Sequence, residues 1–77
     1  MTYSMVIDRC HCDSTTINDI KTWEEVTDYL KNKLGGNVSC VRIAKYGSDD
    51  RLLGTRNVGM HNLWEVASAE KDKYVLL

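Results

Sequence analysis

The chain has 77 residues, 43 % of them hydrophobic and 27 % charged, and a net charge of −1. A chain this short buries roughly 60–65 % of its unfolded surface, which leaves room for one thin core in a single domain, residues 1–77, and little for a deep catalytic cleft. The near-neutral balance gives no general pull toward nucleic acid or anionic membrane.

No apolar run approaches the roughly 18 residues a membrane span needs. No basic stretch followed by an apolar run opens the chain, so no signal peptide is expected. The expected address is therefore cytoplasmic, where Cys10, Cys12 and Cys40 stay thiols. Three cysteines cannot in any case all pair within one chain. The sequon Asn37-Val38-Ser39 is then without consequence.

From Tyr3 to Cys12 the chain reads as a strand. Tyr3, Met5 and Ile7 form the heavier alternating set and are assigned to the core, leaving Val6, Asp8, Cys10 and Cys12 for the other face. Asp13-Ser14-Thr15-Thr16 reads as turn material. Ile17 to Lys21 is a loop or a short helical turn from which Ile20 reaches the core.

The segment from Thr22 to Gly36 organises the rest. Thr22 suits an N-cap and Glu25 completes a capping box. Trp23, Val26, Leu30 and Leu34 fall at helical spacing, with Tyr29 widening the apolar stripe. Glu24, Glu25 and Asp28 oppose the positive end of the helix dipole, Lys31 and Lys33 the negative end. Gly35 is placed to take the left-handed conformation that ends the last turn.

Asn37 to Tyr46 reads as the second strand, with Val41 and Ile43 facing the core and Val38, Cys40, Arg42, Ala44 and Tyr46 on the other side. Gly47-Ser48-Asp49-Asp50 is a turn. Arg51 to Val58 is a third strand returning antiparallel, with Gly54 weakening it or marking a bulge. Residues 63–77 admit two readings. The preferred one is a hairpin of Leu63–Ala69 and Tyr74–Leu77 across residues 70–73. The rival is a helix capped by Asn62 with Glu65 completing the box. The expected fold is α+β: a single two-layer domain with one main helix on an antiparallel or mixed sheet of four to five strands, in the order β-α-β-β-β-β.

The residues that could carry chemistry are few. Cys10 and Cys12 would share a strand face, with Cys40 and His61 as further ligands, but Cys-x-Cys does not wrap an ion and His11 points away, so no metal is assigned. No base and orienting group accompany a cysteine, so no catalytic residue is assigned and the chain is not expected to be an enzyme. No cofactor is implied; Gly54–Gly59 lacks the ending of a phosphate loop. Asp49 and Asp50 lack the spaced oxygens of a calcium loop. The acidic residues of the helix read as a solvated face.

One helix covers one side of a sheet, and the other side stays open. Interface energy concentrates in aromatic and Arg residues, so the candidate partner-binding residues are Arg42, Tyr46, Arg51 and Arg56. The leading expectation is a protein-binding module that occupies the surface of a larger protein, with self-association as a further option. Small accessory proteins of phages and mobile elements, inhibitors and immunity-type proteins are of this size and type. The alternative is a nucleic-acid-binding protein using the Arg-bearing sheet face.

Overall fold

The computed structural model describes residues 1–11 and 13–70. Among these residues two hairpins, a connecting helix and a second, short helix build one sheet with one covered face. Strand β1 (Thr2–Arg9) returns as β2 (Thr15–Ile20); helix α1 (Trp23–Asn32) crosses over to β3 (Val38–Tyr46), which returns as β4 (Leu52–Gly59). A 3-10 turn, Met60–Asn62, leads into helix α2 (Leu63–Ala67). The four strands are all antiparallel, in the order β2-β1-β3-β4. The α+β class, the single sheet and the one main helix are as expected.

Helix α1 forms for the reasons its sequence implies. The Thr22 hydroxyl accepts the Glu25 amide at 3.2 Å. The Glu25 carboxylate reaches back to the Lys21 amide at 3.3 Å, one residue beyond the usual capping box. Trp23, Val26 and Leu30 are buried, as is Leu34 just past the last turn. Gly35 does take the left-handed conformation, φ 81°. The guanidinium of Arg9 then clamps this exit, donating to the Leu34 and Gly36 carbonyls at 2.7 Å each.

The core consists of α1, α2 and one side of the sheet. Met5, Ile7, Val26, Val41 and Ile43 are wholly excluded from water, and Tyr3, Ile20, Val58, Leu63, Val66 and Ala67 join Trp23, Leu30 and Leu34 around them. No described polar or charged residue is buried. Burial alternates along β1, so Tyr3, Met5 and Ile7 face the helix.

Three expectations need correction. The first strand ends at Arg9 rather than Cys12. The chain reverses there, with His11 left-handed (φ 61°) and the Ser14 hydroxyl on the Asp8 carboxylate at 2.9 Å. Cys10 therefore sits in the turn; Cys12 lies outside the described residues. Next, Thr15 to Ile20 is an edge strand, not a turn followed by a loop or helical turn. Its alternation is broken by a register shift opposite Tyr3–Met5, where Asp19 turns left-handed (φ 60°). Ile20 is buried, as expected. Finally, residues 63–67 are helical, so the order is β-β-α-β-β-α. Leu63, Val66 and Ala67 at i, i+3 and i+4 bury one stripe, which a strand would split between two faces. Tyr74–Leu77, the second arm of the expected hairpin, lies outside the described residues.

A smaller correction concerns Val38. A register shift beside Arg9 skips Ser39, so Val38 pairs with Arg9 and packs on the core rather than facing outward. The strand expected over Arg51 to Val58 is β4, Leu52–Gly59, antiparallel to β3 with a register shift beside Gly54. The turn between them closes through Gly47 and Arg51, whose backbone groups bond at 2.8 Å.

Candidate functional site

Cross-strand pairing decides which side chains share the open face. Directly opposed residues in an antiparallel pair project to the same side. Val6 opposes Thr16 and Arg42, Ser4 opposes Ala44, Arg42 opposes Asn57, and Thr2 opposes Tyr46. The open face therefore mixes small polar groups with Val6, Ala44 and Leu52, and Arg42 and Tyr46 are the largest side chains β3 presents there.

Of the four candidate partner-binding residues, only these two come together on one face. They stand four residues apart, about 13 Å along the strand. Arg51 lies in the turn before β4, where its amide donates to the Asp49 carboxylate at 3.2 Å. Arg56 opposes Ile43, a core residue, and so leaves the sheet on the helix side, away from Arg42. Tyr46 is half-buried and lines a shallow basin of ≈ 400 Å³ with Ser4, Asn18, Asp19 and Asp50.

Arg42 belongs to a small polar constellation centred on Asp8. One Asp8 oxygen (Oδ2) takes the Arg42 guanidinium at 3.5 Å and the Cys40 thiol at 3.3 Å; the other (Oδ1) takes Ser14. These donors hold the Asp8 carboxyl below its ordinary value, the Ser14 bond contributing most and the Cys40 bond next. The same bond to Asp8, aided by burial, pushes the Cys40 thiol up. A thiol that keeps its proton is a poor nucleophile and a poor metal ligand. Cys10 is exposed in the turn. Among the described residues no three His, Cys, Asp or Glu side chains gather as metal ligands.

Exposed apolar groups occur both on the open face and elsewhere: Leu52, opposite Tyr46, is 54 % exposed, and a second group lies by the helices. Trp64 on α2 is 75 % exposed and Met60 in the preceding turn 50 % exposed. With Leu30, Lys31, Leu63 and Ala67 they line a groove of ≈ 260 Å³ between the two helices. The preferred hairpin reading puts Trp64 on a strand and the rival puts it on a helix; the i, i+3, i+4 spacing of Leu63, Val66 and Ala67 is the signal that leaves it outside the buried stripe. No described helix is long and apolar enough to cross a membrane.

Comparison with protein-family models, with curated proteins and with solved structures returned no match.

Proposed function

We propose that this protein is a binding module, not an enzyme, and that it acts in the cytoplasm by occupying the surface of a larger protein, as inhibitors, immunity-type proteins and the accessory proteins of phages and mobile elements do. The observation that carries the reading is Trp64. A rigid aromatic held three-quarters in water beside Met60 is the kind of anchor on which interface energy concentrates. The surrounding α2 residues hold it from below, since Leu63, Val66 and Ala67 are buried.

Arg42 and Tyr46 are proposed as secondary contacts, and they also carry the rival reading, in which the open sheet binds single-stranded nucleic acid. The pairing of Arg42 with Asp8 weighs against it, because a carboxylate 3.5 Å away offsets the charge a phosphate needs.

The test compares proteins retained from a host extract, with and without nuclease treatment, by the wild type, by Trp64→Ala and by Arg42→Ala/Tyr46→Ala. A protein retained by wild type and lost with Trp64→Ala supports the reading. Retention indifferent to Trp64, lost with the Arg42/Tyr46 pair and abolished by nuclease would put nucleic acid first.

A further inference from the structure

Strand β2 lies at one edge of the sheet, and a groove of ≈ 420 Å³ separates it from α1. That volume falls within the range of ligand clefts, about 300–1,000 Å³. Three observations bear on its occupant. The floor is apolar: Ile17 and Ile20 of β2 and the ring of Tyr29. The helix wall is acidic, with Glu24, Glu25 and Asp28. Among the described residues its one lining cation, Lys33, already lies 3.5 Å from Asp28, so their balance is negative. Lastly, β1 fills one side of β2 and no described strand fills the other. The backbone from Thr15 to Asn18 therefore offers an extended edge, ended by left-handed Asp19.

We propose that this groove takes an extended segment of a partner protein bearing Lys or Arg at alternate positions, added as a strand along the edge of β2. Alternate side chains of an added strand point to the same side. Those on the helix side enter the groove, and long basic side chains satisfy both of its surfaces. Their aliphatic stems lie over Ile17, Ile20 and Tyr29, and their charged heads reach the carboxylates of α1. A purely apolar segment would leave the carboxylates facing greasy groups, and an acidic one would be repelled. Main-chain bonds to the strand edge supply affinity while the alternate cations select sequence. The site lies on the flank of α1 toward β2, away from Trp64, and does not rest on the α2 reading.

The experiment selects from a displayed random hexapeptide library with the full-length chain as bait. Enriched peptides are then measured by fluorescence anisotropy against wild type, Glu24→Lys/Asp28→Lys and the milder Glu24→Gln/Asp28→Asn. All changed positions are exposed, and circular dichroism checks that the fold is kept. Expected are peptides with Lys or Arg at i and i+2, binding the charge-reversed variant at least roughly tenfold more weakly. The Gln/Asn variant should fall between, and amide chemical shifts should move along Thr15–Asn18. Several results would overturn the proposal: no enrichment, peptides lacking alternate cations, or equal affinity for the reversed variant. So would helical peptides with cations at i and i+4, or concentration-dependent self-association that the reversed variant abolishes. None of these bears on Trp64, whose own test can succeed or fail separately.

Discussion

The indole nitrogen of Trp23 donates a 3.0 Å hydrogen bond to the carbonyl oxygen of Ala69, forty-six residues further on. The start of α1 thus holds the end of α2, and the same ring leans on Tyr3 with centroids 5.7 Å apart. One side chain ties β1 and both helices.

Trp23→Ala is accordingly expected to cost about 3–5 kcal/mol, read as a shift of the denaturant midpoint. Trp23→Phe keeps most of the packing and loses the bond to Ala69, worth about 1 kcal/mol. It should also speed hydrogen exchange at the Ser68 and Ala69 amides, which close α2. A Phe variant with unchanged exchange there would show that α2 does not depend on this bond.

The exit from α1 should be sensitive at two positions. Arg9→Met keeps an unbranched stem but gives up both carbonyl bonds, an expected loss of about 1.5–3 kcal/mol. Gly35→Ala is expected to cost about 1–2 kcal/mol through its backbone, which L side chains avoid at φ 81°. The space itself is not the obstacle: a methyl group would meet the Arg9 guanidinium at 3.4 Å, near ordinary contact. Chemical denaturation of the two variants measures both.

Acid should destabilise the fold through Asp8 and Asp28. Asp28 is held below the ordinary carboxyl value chiefly by the Asn32 amide, with Lys33 adding to it. A carboxylate with a lowered folded pKa stabilises the fold wherever it is ionised. That contribution is complete above the ordinary value of 3.8 and disappears as pH falls through the lower folded values. Asp8→Asn should therefore flatten the acid limb of a melting-temperature profile while changing little of its shape above pH ~6.

Cys10 and Cys40 should differ in reactivity. At pH ~8 iodoacetamide should modify exposed Cys10 well before Cys40, whose thiol is held protonated mainly by its bond to Asp8. Asp8→Asn should narrow the gap. Site-resolved mass spectrometry reads it, and equal rates in the wild type would refute the assignment.

Some of this was legible in the residues. Thr22, the Trp23–Val26–Leu30 stripe and Gly35 all specify the same helix, so local and tertiary preferences agree. Tyr3, Met5, Ile7, Val41 and Ile43 alternate cleanly because each strand has one dry side. Thr15 to Ile20 does not, since an edge strand with a left-handed Asp19 buries little and looks like a turn. The α2 segment was ambiguous because Trp64 and Val66 alternate while Leu63, Val66 and Ala67 keep helical spacing. Burial sided with the second set. The groove beside α1 was invisible for the same reason as β2: without that strand, Glu24 and Asp28 face only solvent.

The sheet order has a kinetic consequence. The first strand of each hairpin lies at the centre, so β1 and β3 form a seam between two locally closed halves. Hairpins form in about 1–10 μs, but the seam matches Ile7 with Val41 and Met5 with Ile43 across the whole of α1. Closing that distance is slower than closing either turn. Neither half can keep those four side chains dry by itself. A change at the seam should slow folding of the entire chain, whereas one on β2 or β4 should mainly hasten the opening of its own edge.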